Sequence, residues 1–270
     1  MKPLLKWTGG KRWLLPILQE VWAAHSERTL VEPFTGGMAV ALGLQPTKAR
    51  LNDANEHLIN FYRQVSKGLE LTFELKNKAD FYYAMRDHFN DLIRNNKHKT
   101  KDAASIFYFL IRTGFNGLCR FNSNGEFNVP FGQHVSIRYK EDFLEYKPIL
   151  KQWQLTHGDF AKLKLAGDEF IYADPPYDVE FTRYNAEDFT WKDQLRLAEW
   201  LAQHSGPVIA SNQATPRILE LYKDLKFKVY TLPAPRMISC NGDRRPALEI
   251  LAFKSFTVTQ LRKIRGLLST

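Results

Sequence analysis

The tetrapeptide Asp174-Pro175-Pro176-Tyr177 follows directly on the apolar run Phe170-Ile171-Tyr172-Ala173. At average composition such a tetrapeptide arises by chance on the order of once in a thousand chains of this length. A carboxylate and a peptide carbonyl side by side form a pair of hydrogen-bond acceptors. The Asp174 carboxylate and the Pro175 carbonyl suit the two hydrogens of an exocyclic aromatic amine, such as that of adenine. Accepting both would draw the nitrogen lone pair out of the ring and toward an electrophile such as an activated methyl. Two prolines fix the turn with little entropy left to lose. Tyr177 offers a face on which an extruded base can stack, and Phe181 or Tyr184 would close the other side. The bland reading of the same residues is a rigid turn that ends a strand.

Three further strand ends carry chemistry-bearing residues. Val31-Glu32-Pro33-Phe34-Thr35-Gly36-Gly37 closes the first strand, and adjacent glycines let a backbone turn tightly and approach a ligand. They also serve where only a turn is needed. Leu51-Asn52-Asp53 closes the next strand, where a carboxylate is placed to hold the two hydroxyls of a ribose, or else to cap the following helix. In Gly158-Asp159-Phe160, Asp159 is suited to accept from the amino group of a cofactor adenine and Phe160 to lie on its ring. Three acidic strand ends and an acid-proline turn in one sheet support one another.

The elements that must position these residues read as an α/β sheet. Strand, glycine turn, short helix and strand run from Thr29 to Asp53, the opening of a nucleotide-binding domain. Strands return at Trp153–His157, Phe170–Ala173, Pro207–Ala210 and Phe227–Tyr230. A helix opens with the capping-box variant Thr190-Trp191-Lys192-Asp193 and carries Trp191, Leu195, Ala198 and Ala202 on one face. Alternation of this kind implies a mostly parallel sheet. Residues 56–150 break the rhythm: helices are expected over Ala79–Asn95 and Asp102–Thr113, followed by a Gly/Asn/aromatic-rich stretch without periodicity. This reads as an insertion, with Asn95–Lys101 a solvated loop.

The chain of 270 residues has a formal net charge of +9 and a pI near 9.4, which favours a polyanionic partner. By segment the charge is +3 over 1–28, zero over 29–55, +3 over 56–150, −4 over 151–216 and +7 over 217–270. Cys119 and Cys240 are too few for a disulfide framework and lack zinc-ligand spacing, so no metal is expected. No apolar run approaches the ~18 residues of a membrane span and Met1-Lys2-Pro3-Leu4 lacks a signal pattern. A cytoplasmic protein, monomeric in solution and without membrane contact, is the expectation. The glycine loop does not supply the G-x-G-x-x-G of a nicotinamide dehydrogenase. A C5-cytosine methyltransferase needs a thiol nucleophile in a Pro-Cys turn, which neither cysteine occupies.

Leu5-Lys6-Trp7-Thr8-Gly9-Gly10-Lys11, Val31-Glu32-Pro33-Phe34, Leu118-Cys119-Arg120-Phe121-Asn122, Gly125–Gly132 and Asp174–Tyr177 occur in the order found in Dam-type (alpha-group) DNA adenine-N6 methyltransferases. The chain resembles that family along nearly its whole length. The resemblance implies a Rossmann-like S-adenosylmethionine-dependent methyltransferase fold, catalytic over 1–55 and 151–270. Residues 56–150 would be an inserted, mostly helical target-recognition domain with a DNA-contacting hairpin. It implies duplex DNA as partner, GATC as the site, base flipping, and a bacterial or phage setting close to the nucleoid. Trp7, Lys11, Glu32, Phe34, Gly36, Asp53, Asp159, Phe160 and Asp174 would line the donor pocket, with Asp174, Pro175 and Tyr177 catalytic. Lys6 and Arg120 would contact bases, Arg120 by bidentate bonding to guanine. Phe115, Asn116 and Leu118 would enter the duplex, helped by Gly114 and Gly117, with Asn122 and Pro130 also at the DNA. Phe115 and Phe121 read equally as core residues of the insertion.

Ser239-Cys240-Asn241-Gly242-Asp243-Arg244-Arg245 reads as a hairpin tip before the strand Ala247–Phe253. Arg244 there would bind phosphate, or else stand merely solvated. Two residues depart from the family pattern. Met38 stands where a third glycine is common, so its side chain either narrows the donor pocket or faces the helix. Phe115 stands where tyrosine is frequent. An N4-cytosine enzyme commonly has Ser in place of Asp174. The non-enzymatic alternative is a DNA-binding regulator that keeps the fold with the motif silent.

Overall fold

A computed structural model describes residues 1–178, 189–235 and 247–268. In chain order the elements are α1 Leu15–Trp22, β1 Leu30–Glu32, α2 Ala39–Leu44, β2 Ala49–Asp53, α3 Glu56–Lys67, α4 Ala79–Arg94, α5 Lys101–Thr113 and α6 Lys147–Gln152. There follow β3 Gln154–His157, β4 Phe170–Ala173, α7 Trp191–Ala202, β5 Val208–Gln213, α8 Pro216–Asp224, β6 Lys228–Ala234, β7 Ala247–Lys254 and α9 Val258–Leu268. The chain forms two compact units, one of residues 1–11, 36–45 and 53–158, the other of 12–35, 46–52 and 159–270.

The second unit is a Rossmann-like α/β layer. Its strands run in the order β2-β1-β4-β5-β7-β6, parallel from β2 through β5, with β7 antiparallel to both neighbours. Both β1 and β4 are buried at every residue, and Phe170-Ile171-Tyr172-Ala173 of β4 accordingly shows no polar alternation, while β1 ends on the buried Glu32. On one face Ile171, Leu197, Leu201, Val208, Ile218, Tyr222 and Ile250 pack as one core beneath α7 and α8. Trp22, His25, Phe170, Phe253 and Phe256 form another aromatic group, edge to face except for the tilted His25–Phe170 contact.

Helix α7 begins as its sequence requires: Thr190 accepts from the Asp193 amide and the Asp193 carboxylate accepts from the Thr190 amide. Gln194, Leu197, Ala198 and Leu201 are buried, whereas Trp191, Leu195 and Ala202 are only partly covered. Gln194 is buried on the covered face because its amide finds polar partners there.

In the first unit α5 is apolar on nearly every side and correspondingly buried from Ala103 to Ile111. Thr100 caps it by accepting from the Ala103 amide. The irregular stretch after α5 is pinned from α4: Asn90 donates to the Phe127 carbonyl at 3.1 Å and accepts from its amide at 2.8 Å. The Tyr82 hydroxyl donates to the Val129 carbonyl at 3.0 Å. Antiparallel bridges join Gly114 to Phe131 and Phe121 to Phe127, so a short hairpin replaces helical periodicity there.

Met38 has φ 58° and ψ 31° in the left-handed region, and its side chain is fully buried. A residue with a Cβ pays about 1–2 kcal/mol for that backbone, which is the physical reason for a glycine in its place.

Candidate active site and nucleic-acid interface

Asp174 leaves the carboxyl end of β4, between β1 and β5, where parallel sheets bind their ligands. Its carboxylate accepts from the Ser211 hydroxyl of β5 at 2.7 Å, and Ser211 lies 3.3 Å from the Tyr172 hydroxyl. Burial, then the Asp174 charge, holds the Tyr172 phenol well above its ordinary range. The Gln194 side-chain amide donates to the Pro176 carbonyl at 2.8 Å and accepts from the Asn212 amide at 2.9 Å. Asn212 in turn accepts from the backbone N–H of Asp178 at 3.2 Å. Asp178 is buried and paired with Arg217, while Thr215 donates to it at 3.2 Å. Tyr177 donates to Glu249 of β7 at 2.7 Å; burial, then the Asp174 and Glu249 charges, keep it protonated. Phe181 and Tyr184 lie outside the described residues.

Ser211, Asn212, Gln194 and Glu249 did not emerge as site residues from the sequence. Their only signal is polarity in the wrong place: Ser-Asn within an apolar strand, and Gln on the covered face of a helix.

In the first unit the Trp7 indole lies across the glycine loop. A Cβ added at Gly36 would stand 2.9 Å from its Nε1, and one at Gly37 would stand 2.8 Å from its Cβ. Asp53 accepts from the backbone N–H of Gly36 and of Asn55, each at 2.9 Å. Burial raises its carboxyl above the ordinary range, opposed by these two N–H donors. The capping alternative for Asp53 is overturned: Asn55 caps α3, accepting from His57 and Leu58. Tyr62 donates to the Gly36 carbonyl at 3.1 Å, and buried Lys11 donates to the Gly9 carbonyl at 2.8 Å.

In the second unit Glu32 is buried at the end of β1 and accepts from the Thr35 hydroxyl at 3.3 Å. The strand exit is tied to β2, since Asn52 donates to the Pro33 carbonyl at 3.1 Å and accepts from the Thr35 amide at 2.8 Å. Phe34 packs on Phe160 with centroids 5.5 Å apart. Asp159 caps its own turn through the Ala161 amide and is bonded by both terminal nitrogens of Arg196, at 3.0 and 2.7 Å. The same guanidinium covers the Phe160 ring at 4.6 Å. Asp159 and Phe160 are therefore already engaged by Arg196, a partner that the sequence reading did not name.

The residues suited to DNA gather around the turn after α5. Phe115 is 46% exposed, which overturns its reading as a core residue. Its N–H donates to the Pro130 carbonyl at 2.9 Å, and Asn116 takes the left-handed conformation beside it at φ 54°. Gly117 admits the N-terminal segment: a Cβ there would stand 2.4 Å from the Lys6 carbonyl oxygen. Lys6 is thereby placed at the Phe115 turn, its pKa lowered by partial burial and by Arg112 nearby. Arg120 is aimed by Asn128, whose side-chain oxygen accepts from its Nε at 2.7 Å. Asn122 is turned onto its own hairpin, accepting from the Asn124 and Glu126 amides and donating to the Glu126 carboxylate. Leu118 is half-buried, and Phe121 is half-buried and stacked on His57 at 4.9 Å. Arg244, with the rest of 239–245, lies outside the described residues. Cys119 accepts from the Asn55 side chain, and burial pushes its thiol up to about 12, far from a thiolate nucleophile.

A parallel α/β sheet with an acid-diproline turn at the end of β4, in a chain that also ties a glycine loop to a carboxylate, defines the class of nucleotide-dependent group-transfer enzymes. The sequence profile of the D12 class N6 adenine-specific DNA methyltransferases matches residues 7–238, and the chain belongs to that family. It is 36% identical to the type II methyltransferase M1.LlaDCHI of Lactococcus lactis subsp. cremoris, over 91% of this chain and 92% of that protein. It is 32% identical to the DNA adenine methylase of Escherichia coli K12, over 97% of this chain and 99% of the relative. Similarity to the DNA N-6-adenine-methyltransferase of Escherichia phage P1 is 34%, over 90% of this chain but only 34% of that longer protein. The chain is a DNA adenine-N6 methyltransferase whose methyl donor is S-adenosylmethionine.

The residues present fit a nucleoside-bearing donor. Glycines 36 and 37 leave the space a Cβ would fill against Trp7, and Asp53 supplies a carboxylate acceptor at a strand end.

Proposed function

We propose that this enzyme methylates adenine within GATC in duplex DNA, by extruding the base and transferring the methyl group directly to N6. One observation carries the reading: Asp174, half-exposed at the carboxyl end of β4, is held by a hydroxyl from β5 and followed by a phenol anchored to Glu249. Bound donor supplies an electrophilic methyl. Asp174 and the Pro175 carbonyl accept the hydrogens of the amine, and Tyr177 stacks on the extruded ring. Trp7, Lys11, Glu32, Phe34, Gly36, Asp53, Asp159 and Phe160 are assigned to the donor, with Asp53 taking the ribose hydroxyls.

Exposure of Phe115 on a turn braced by Pro130 and Gly117 suits an aromatic wedge into the base stack. Arg120 reads guanine through the guanidinium edge turned away from Asn128. Lys6 adds a second base contact, and Asn116, Leu118, Asn122 and Pro130 border the duplex. A cytoplasmic setting is consistent with the bacterial and phage relatives, and the enzyme is taken to act on DNA as a monomer. Sequence-resolved mapping of N6-methyladenine on a plasmid grown with the enzyme in a methylation-free host tests the site. Modification confined to GATC is expected; modification at another motif would refute it. Asp174→Ala is expected to bind duplex and transfer no methyl.

A further inference from the structure

Three polar side chains, all distant from the four-residue motif in sequence, are buried beside it. Ser211 and Asn212 are 0% exposed, and Gln194 is 1% exposed. We infer that Ser211, Gln194 and Asn212 are positioning residues for methyl transfer, holding the Asp174 carboxylate and the peptide planes of the Pro176 turn at the reacting geometry. The inference rests on the adenine-N6 reading of that turn.

Hydrogen accounting fixes the direction of each bond. An ionised carboxylate only accepts, so the single Ser211 proton goes to Asp174 Oδ1 at 2.7 Å rather than to the Ala173 carbonyl at 3.4 Å. The Tyr172 phenol, kept protonated, then donates to the Ser211 oxygen, giving a chain from Tyr172 through Ser211 to Asp174. One charge-assisted bond from a buried strand helps fix the carboxylate plane.

The amides are equally determined. Asn212 accepts the Asp178 N–H through its oxygen, so its NH2 faces Gln194. Gln194 must then present oxygen to Asn212 and NH2 to the Pro176 carbonyl. Neither amide can flip without setting like against like. The turn is thus gripped at the Pro176 carbonyl by α7 and at the Asp178 amide by β5. With φ of both prolines locked by their rings, holding the Asp174 side chain on one side and the Pro176 carbonyl on the other restricts the direction of the Pro175 carbonyl between them. Displacement of an acceptor by about 1 Å costs on the order of a hundredfold in rate.

Full-length Ser211→Ala, Tyr172→Phe and Gln194→Glu test this by single-turnover transfer of labelled methyl to plasmid DNA, with steady-state kcat and KM for DNA and donor. Ser211→Ala is expected to slow transfer about tenfold with both KM values within about twofold. Gln194→Glu keeps the shape but sets an acceptor against the Pro176 carbonyl, and a loss of ten- to a hundredfold in kcat is expected. Tyr172→Phe should cost a few-fold and add nothing to Ser211→Ala. Where Ser211→Ala does not accumulate as folded protein, the other two decide. Transfer rates within twofold of wild type overturn the inference. So does a loss shared by kcat, both KM values and melting temperature. A wild-type enzyme that labels no adenine sinks the reading of the turn itself, whereas wild-type activity with insensitive variants sinks only the positioning roles.

Discussion

The Trp7 indole and Gly36 are packed so closely that a methyl group on Gly36 would stand 2.9 Å from the indole nitrogen. The glycine is needed twice over, since its φ of 44° also lies in the left-handed region. Two stretches of sequence that look unrelated, one near the N-terminus and one after β1, are thus a single packed surface.

Gly36→Ala must push Trp7 away or distort the loop tied to Asp53. Overpacking of this kind costs about 1–3 kcal/mol. A lower melting temperature and at least tenfold weaker donor binding by calorimetry are expected. Trp7→Ala in the same background should restore stability without restoring affinity. Unchanged donor affinity in Gly36→Ala would remove the loop from the donor site.

Phe115 is exposed, so Phe115→Ala should leave stability within about 0.5 kcal/mol of wild type. If the ring enters the base stack, the fluorescence rise of 2-aminopurine placed at the target adenine should fall sharply. Equal fluorescence in both proteins would deny Phe115 the wedge role.

Arg120→Ala should relax preference at one base pair by about 1–3 kcal/mol while leaving phosphate-driven binding in place. Arg120→Lys should not restore it, because an ammonium cannot form the two parallel bonds of a guanidinium. Asn128→Ala should show a weaker form of the same defect, since Asn128 aims the guanidinium. A uniform loss at every position of the site would argue against direct reading by Arg120.

His57 is buried against Phe89 and Phe121, and burial lowers its pKa to about 4. The unfolded chain takes up its proton near the ordinary value of about 6.5, before the folded protein does. Its contribution is therefore a loss of stability as pH falls from about 6.5 toward 4, constant below that window and absent above it. The full span corresponds to about 3 kcal/mol, as an order of magnitude. Urea denaturation at pH 7 and pH 5 should show a drop that His57→Phe reduces while preserving the ring packing. Identical pH slopes for the two proteins would assign the acid sensitivity to other groups.

Local chemistry made much of this protein legible from its residues in order. Phe170–Ala173 is a buried strand because it is wholly apolar, and the prolines after it must turn. Thr190 and Asp193 cap a helix by contacts three residues apart, and a glycine pair marks a close approach before its partner is known. Tertiary structure decided which groups meet. Asp174 is bonded by a residue 37 positions away, Pro176 by one 18 away, and Asp178 by one 34 away. Such bonds have no local signature: a Gln on a helix or a Ser in a strand reads as an imperfection until the opposing acceptor is located. The same holds for Asp53, which sequence leaves as either cap or ligand until Asn55 is seen to take the cap and Gly36 to take the carboxylate. Propensity and periodicity act over a few residues, whereas the partner of a buried polar group is chosen by the packing of the sheet.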